Sequence, residues 1–229
     1  MNILIEPYYN GIIQTLFSLI LISGFVFYGK IINNTFFKEY ENIFLNFLIS
    51  FVIFSQIIKI FIYLNLFNNI HSILAYIILV PGVYNFINFV NFIKNKKINL
   101  SKNIFGIIII FSLFVFFIIS ILPPSMADAL DYHYGVPLYL IKNGELPNIY
   151  FWLHGNLAGN GEFINTLAIF LGTDNFGSLV QFFSLLLFLK FIFAEIKNKN
   201  KIIFLSVFIL CSPTLLQLIS GPKFLLFPQ

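Results

Sequence analysis

The stretch that divides this chain is PPSMADALDYHYGVPLYLIKNGELPNIYFWLHGNLAGNGEFINTLAIFLGTDN, residues 123–175. We call it the polar segment, because the sequence before and after it is almost wholly apolar. It holds the only tryptophan and five of the nine acidic residues, which are Asp128, Asp131, Glu145, Glu162 and Asp174. Ionisable groups gathered in one segment of an apolar chain predict that the chemistry of the protein takes place there.

The composition excludes an ordinary soluble domain. The chain is 59% hydrophobic and 10% charged, and its mean hydropathy is +0.92. A globular domain of 229 residues does not need that much apolar surface, so the expected solvent is the lipid bilayer. The formal net charge is +4, and every positive side chain is a lysine. In a membrane protein such lysines are expected beside the ends of spanning helices, and no nucleic-acid partner is predicted.

Six apolar runs approach or reach the roughly 20 residues that a spanning helix needs. Four of them lie in residues 1–122 and two in residues 176–229, on either side of the polar segment. A further run, Phe163–Leu171, has about half the required length and predicts an interfacial or re-entrant helix. The expected fold is therefore all-α and polytopic, with about six spans and one long outer loop that carries short amphipathic helices. One of these is expected around Val136–Ile141, on the membrane interface, and Asn143-Gly144 ends it. His71 is expected in the short connection between the second and third spans. The predicted spans are Gly11–Tyr28, Ile43–Leu64, Ile73–Phe92, Ile104–Leu122, Phe176–Ala194 and Ile202–Ser220.

The lysines also predict the orientation of these helices. Lysine clusters follow the first, third and fifth spans, and the intervening connections carry little positive charge. By the positive-inside rule the clustered connections are cytoplasmic, which places the N-terminus and the polar segment on the outer side of the membrane. Lys59 is different because it lies within the second span. It either extends towards the lipid headgroups or faces an internal cavity.

The start of the polar segment brings two carboxylates close together. Ser125 favours the start of a short helix after the fourth span, and on that helix Asp128, Asp131 and Tyr132 share one face. Two adjacent carboxylates bind a divalent cation such as Mg²⁺ or Mn²⁺, or one of them acts as a general base. They are equally consistent with a solvated loop that has no catalytic role.

The sequence ADALDYHYGVPLYLIKNGELP, residues 127–147, resembles the first outer loop of the GT-C glycosyltransferases. These membrane enzymes use lipid-phosphate-linked sugars and include protein O-mannosyltransferases and aminoarabinose transferases. In that superfamily an aspartate closely follows a spanning helix, and an aromatic residue, an amphipathic helix and a Gly-acidic-Pro turn come after it. Asp128, Tyr132 and residues 144–147 occur in that order here, and Gly161-Glu162 before a short apolar run fits the same pattern. The chain departs from it at Ala129, where better-known members often carry a second acid, and in the three additional spans that precede the loop.

The resemblance implies an inverting transferase in which Asp128 is the catalytic base. Asp131 and His133 would support that base, and the partners would be the bilayer, a polyprenyl-phosphate-linked sugar donor and a glycan, lipid or protein acceptor. The residues expected to contact substrate are Tyr132, Lys142, His154 and Glu162.

The resemblance also implies an N-terminal fragment, because members of the superfamily carry about twice as many spans. Two other functions stay open at this point. A transporter or flippase component is expected to place charges and broken helices near the middle of the bilayer, and only Lys59 and the pair Pro81-Gly82 point that way. A non-catalytic membrane scaffold would carry the same acids merely as solvated side chains.

Overall fold

The computed structural model describes residues 11–37, 42–95, 104–123, 129–148, 150, 152, 159–196, 199–213, 215 and 219, and all regular secondary structure in this part is helical. The predicted all-α class is confirmed there. Two short π-helical segments, Asn33–Phe37 and Ala129–Tyr134, accompany the α-helices. The α-helices of the described residues are α1 Gly11–Ile32, α2 Ile43–Tyr63, α3 Phe67–Asn95, α4 Ile104–Ile121, α5 Gly135–Asn143, α6 Asn160–Phe170, α7 Phe176–Glu195 and α8 Lys199–Leu210.

Within the described residues, three helical stretches are long and apolar enough to cross a membrane: Gly11–Phe36, Ile43–Tyr63 and Phe67–Asn91. The chain therefore has the architecture of a membrane protein. Three shorter apolar helices, within α4, α7 and α8, occupy the places of the other predicted spans. The full number of six spans stays a prediction.

The third long helix begins earlier than the sequence predicted. It starts at Phe67 and not at Ile73, so that His71 lies inside α3 and not in a loop. The His71 ring is buried, and its Nδ1 atom lies 3.1 Å from the carbonyl oxygen of Phe67, one helical turn back. This local hydrogen bond satisfies a polar ring within an apolar helix.

Helices α1, α2 and α3 form a bundle in which the backbones approach very closely. A Cβ atom added at Gly29 would lie 1.6 Å from the carbonyl oxygen of Asn46 in α2. One added at Gly82 would lie 2.3 Å from the carbonyl oxygen of Ile20. Small residues are common at helix contacts in membranes because they permit this approach.

Aromatic side chains fill the space that these contacts enclose. The Phe25 ring of α1 contacts three rings of α2, those of Phe47, Phe51 and Phe54, at centroid distances of 5.8–6.1 Å. Phe176, the first residue of α7, reaches the same ring from the other side, at 6.4 Å. Helix α7 therefore joins this bundle to α4 and α8, which pack on the opposite face of α7 around Phe116 and Leu185.

Helix α6 lies inside the bundle. Every residue from Gly161 to Ile169 is buried, and the helix packs against α2, α3 and α5. Its first residue, Asn160, accepts a hydrogen bond from Gln56 Nε2 at 2.9 Å. Gln56 lies seven residues before the end of α2, or about 10 Å below that end at the helical rise of 1.5 Å per residue. The burial favours the re-entrant alternative for this segment over the interfacial one.

The predicted amphipathic segment around Val136 is confirmed as a helix, α5, but its apolar face does not lie free for lipid. Val136 and Leu140 are buried in the main core, and Ile141 packs against Ile169 and Phe170 of α6. Helix α6 offers α5 an apolar surface, which the sequence alone did not show. Helix α5 ends as expected at Gly144, whose φ of 78° is a left-handed conformation that glycine adopts without strain.

We expect Gly29→Ala to destabilise the protein by about 2 kcal/mol or more, because the new methyl group would meet backbone and not a flexible side chain. Gly11→Ala is the matched control in the same helix, since a Cβ at Gly11 meets nothing within 4 Å. Unfolding of the detergent-solubilised variants by increasing SDS measures the difference. Equal midpoints for the two variants would contradict the close packing of α1 on α2.

Candidate functional site

The π-helical segment Ala129–Tyr134 carries the first residues of the candidate site. The sequence predicted an ordinary helix with Asp128, Asp131 and Tyr132 on one face, but a π-helix has a wider turn, which changes the residues that align. Asp131 is exposed on this segment. Asp128 and the side chain of Tyr132 lie outside the described residues, so their shared face stays a prediction. Segments of π-helix are frequent at functional sites.

A buried contact between His133 and Glu162 is the centre of the site. The Nδ1 atom of His133 contacts Oε1 of Glu162 although the two residues lie 29 positions apart. The exposed fractions are only 3% for His133 and 5% for Glu162. The other carboxylate oxygen, Oε2, accepts a hydrogen bond from the backbone N–H of Gly159 at 2.8 Å. Both oxygens of the buried carboxylate are therefore engaged, as a buried charge requires.

Helix α6 positions His133 through its backbone as well. The side-chain amide of Asn165 donates to the carbonyl oxygen of His133 at 3.0 Å. Thr166 Oγ1 donates to the carbonyl oxygen of Glu162 at 2.9 Å. Glu162, Asn165 and Thr166 are spaced so that they fall on one side of a helix. One face of α6 thus fixes both the ring and the main chain of the histidine.

This arrangement defines what the imidazole can do. If Nδ1 carries the ring proton and donates it to the carboxylate, the lone pair of the ring is on Nε2, which can then accept a proton from another group. A carboxylate on Nδ1 also stabilises the imidazolium that forms when Nε2 takes that proton. The pair is therefore equipped for general base catalysis or for orienting a neighbouring base.

Of the other residues predicted to contact substrate, Lys142 is the one whose side chain the structure describes, and it is exposed whereas the pair is buried. Lys142 is exposed in the last turn of α5, a helix about 13 Å long that begins two residues after His133. His154 lies outside the described residues. Asp131 lies two residues before His133, and its exposed carboxylate is on the same π-helical segment.

Two more ionisable groups lie beyond the opposite end of α6. Burial raises the pKa of the Tyr134 hydroxyl well above its ordinary value of 10.0, and the negative charge of Asp174 raises it further. Burial also raises the pKa of Asp174 above 3.8, against the smaller opposing effect of a hydrogen bond from its own backbone. Tyr134 directly follows His133, so this second pair of groups is connected to the first through the π-helical segment.

Sequence reasoning missed the pairing of His133 with Glu162 and the contact of Gln56 with Asn160. One signal was present for the first, since a glutamate three residues after Gly159 is the spacing of a helix N-terminal capping box. A glutamine inside the apolar run of α2 was the signal for the second. Neither signal indicates which distant residue the side chain contacts.

The described residues include no group of three His, Cys, Asp or Glu side chains placed to hold a metal ion. The Mg²⁺ or Mn²⁺ site expected at Asp128 and Asp131 includes a residue outside that part of the chain, and it stays a prediction.

Comparison with known proteins gives one match. The family model described as the DUF1420 N-terminal domain matches residues 25–228, which is most of the chain. No curated protein and no solved structure matches the chain.

We expect Glu162→Ala to destabilise the protein by about 3 kcal/mol, because it removes the partner of a buried histidine together with the acceptor of the Gly159 N–H. Glu145→Ala is the matched control, since Glu145 is an exposed acid of the same polar segment. Its effect should stay within about 0.5 kcal/mol. SDS unfolding of the two variants measures both values, and a stability loss as small at Glu162 as at Glu145 would show that the pair is not buried as described.

We expect Asp174 to make the stability depend on pH. Its pKa is higher in the folded protein than the ordinary 3.8, so the folded state holds the proton more tightly than the unfolded state. The stability that Asp174 contributes is complete below pH 3.8, and it is lost as the pH rises through the pKa of Asp174 in the folded protein. Asp174→Asn should remove this loss of stability with rising pH. Unfolding of the wild-type protein and the variant at several pH values between about 4 and 7 will show the difference. Parallel profiles for the two proteins would contradict the raised pKa.

Proposed function

This chain belongs to the DUF1420 family, whose N-terminal domain it matches, and from the site geometry and the resemblance of residues 127–147 to GT-C glycosyltransferases we propose that it is a membrane glycosyltransferase. It transfers a sugar from a polyprenyl-phosphate-linked donor to a hydroxyl or amine of a glycan, lipid or protein acceptor. The polar segment and α6 face the outside of a bacterial inner membrane, as the lysine distribution predicts.

The contact between His133 and Glu162 is the observation that supports this proposal most. The two sequence pieces that carry the resemblance to GT-C glycosyltransferases are DALDYH, residues 128–133, and Gly161-Glu162. They are distant in the sequence, yet the side chains of His133 and Glu162 meet in the fold. A site that joins them is expected of an enzyme, whereas a solvated loop has no need of a buried ion-pairing contact, which is costly to desolvate.

The proposed reaction has one displacement step. The acceptor loses its proton to Asp128 while its oxygen or nitrogen forms a bond to the anomeric carbon of the sugar. The bond from that carbon to the phosphate oxygen breaks at the same time, and the lipid phosphate leaves with the bonding electrons. Attack from the side opposite the phosphate inverts the anomeric centre. His133, held by Glu162, orients Asp128 or takes the proton onward through Nε2.

The departing phosphate needs compensation for its negative charge. A divalent cation held by Asp128 and Asp131 would supply it, and so would a lysine. Lys142, an exposed residue of α5, is the lysine of the polar segment. Lys59 lies in α2, one helical turn after Gln56, whose side chain contacts the start of α6.

A transporter or flippase component is a second candidate, and one observation favours it. The break between α6 and α7, residues 171–175, lies within the bundle and is tied to α1, because Ser18 donates to Asn175 Oδ1 at 2.8 Å. Among the described residues the buried amide of Gln181, further along α7, has no hydrogen-bond partner. Interrupted helices with polar groups inside the membrane are typical of transporters.

Turnover by the full chain in liposomes that contain a polyprenyl-phosphate-linked sugar tests the enzyme. Asp128→Asn should reduce the rate about 100-fold or more, which is the usual effect of removing a general base. Glu162→Gln should reduce the rate as well, while Glu145→Gln should leave it unchanged.

Three outcomes are distinct in this assay. Loss of turnover in Asp128→Asn with unchanged membrane insertion supports the transferase. Turnover that Asp128→Asn leaves intact contradicts the assigned base. Movement of the intact donor across the liposome membrane, with no sugar transferred by the wild-type protein, identifies the transporter instead.

A further inference from the structure

The polar side chains of helix α2 include Gln56 and Lys59, which interrupt the apolar sequence of its second half. They are three residues apart, so they lie on adjacent turns of one side of the helix. Gln56 is exposed and Lys59 is half-buried. Polar and charged groups inside spanning helices are costly, and where they occur they often mark a binding site or a pathway.

Gln56 connects to the candidate site through α6, and Lys59 follows one helical turn further along α2. The amide of Gln56 donates to Oδ1 of Asn160 at 2.9 Å. Asn160 begins α6, and Glu162 in the same turn holds His133. An uninterrupted series of contacts therefore leads from the exposed side of α2 to the buried histidine.

Most of the polar groups left over at this place are hydrogen-bond donors, and the exception is the amide oxygen of Gln56, which is an acceptor. Gln56 uses one amide hydrogen on Asn160, which leaves its second hydrogen and the amide group of Asn160 itself. The ammonium group of Lys59 adds three donors and a positive charge, and no carboxylate of the described residues forms an ion pair with it. Glu162 lies two residues after Asn160, but both of its carboxylate oxygens are already engaged, by His133 and by Gly159. An anion with several acceptor oxygens matches this set.

The depth of these donors restricts what the anion can be. Lys59 lies about 6 Å and Gln56 about 10 Å below the Tyr63 end of α2. A lysine at that depth extends its ammonium group to the level of the lipid headgroups. The negatively charged group that lies at this level of a bilayer is the phosphate of a lipid.

We propose that Lys59, Gln56 and Asn160 bind the phosphate group of a membrane lipid at the side of α2, next to the contact of His133 with Glu162. The lipid is either a phospholipid or the polyprenyl phosphate carrier. The choice of the carrier rests on the proposed function, but the phosphate site itself does not. Bound there, the phosphate lies beside the start of α6, where a lipid-linked donor would have to place its leaving group.

Native mass spectrometry of the full chain in nanodiscs tests this site with two matched pairs of lipids. One pair is polyprenyl monophosphate and polyprenol, and the other is phosphatidylglycerol and diacylglycerol. The wild-type protein should bind at least one phosphate lipid about tenfold more tightly than its phosphate-free partner, which corresponds to one charge-assisted contact. Preference for polyprenyl monophosphate over phosphatidylglycerol identifies the carrier, and equal binding identifies a headgroup site.

Three variants show whether Lys59 is responsible. Lys59→Gln should lose the tenfold preference, and Lys59→Arg, which keeps the charge, should retain it. Lys190→Gln is the matched control, because Lys190 is an exposed lysine near the C-terminal end of another long apolar helix, α7. Phosphate binding that Lys59→Gln leaves unchanged, or that Lys190→Gln weakens equally, overturns the proposal.

The same assay separates this proposal from the proposed function. Phosphate binding through Lys59 without any sugar transfer by the wild-type protein would refute the transferase and leave the lipid site standing. Sugar transfer by the wild-type protein, with phosphate binding that does not depend on Lys59, would support the transferase and refute the lipid site.

Discussion

The hydrogen-bonded contact between His133 and Glu162 is the constraint on which the rest of the site depends. Both side chains are removed from solvent, where an unpaired carboxylate would cost several kcal/mol. The structure meets this cost by engaging both carboxylate oxygens and by tying the histidine backbone to Asn165. These contacts fix the position of the π-helical segment relative to α6. The exposed Asp131 and the beginning of α5 are placed by the same contacts.

The bundle of α1, α2 and α3 makes room for this arrangement. Its backbones approach so closely at Gly29 and Gly82 that side chains are excluded from the contacts themselves. Helix α6 fits into the bundle as a short buried element, with Asn160 bound to Gln56 of α2, and the Ser18–Asn175 contact holds the following turn against α1. Short helices that lie inside a membrane bundle need internal partners for their polar groups, and these side chains supply them.

Much of the fold follows from the sequence in physical terms. Long apolar runs predicted the membrane helices, and the pair Asn143-Gly144 predicted the end of α5, because both signals are local. The half-length run after Gly161 correctly predicted a helix that does not span. The pairing of His133 with Glu162 was not predictable, since helical periodicity determines the side of a helix on which a residue lies but not which other helix that side meets. The same limit explains why the apolar face of α5 was assigned to the lipid interface when it packs on α6, and why His71 was placed in a loop.

The contact of His133 with Glu162 can be observed directly by ¹⁵N NMR of histidine-labelled protein in lipid bilayers. The chain has three histidines, and substitution of each one assigns its signals. The account predicts that Glu162→Gln shifts the Nδ1 resonance of His133, because Nδ1 loses a charged partner, and leaves His71 unchanged, because the Nδ1 atom of His71 contacts the Phe67 carbonyl. An Nδ1 resonance of His133 that does not respond to Glu162→Gln would contradict the pairing. It would also contradict the candidate site from which both proposals are argued.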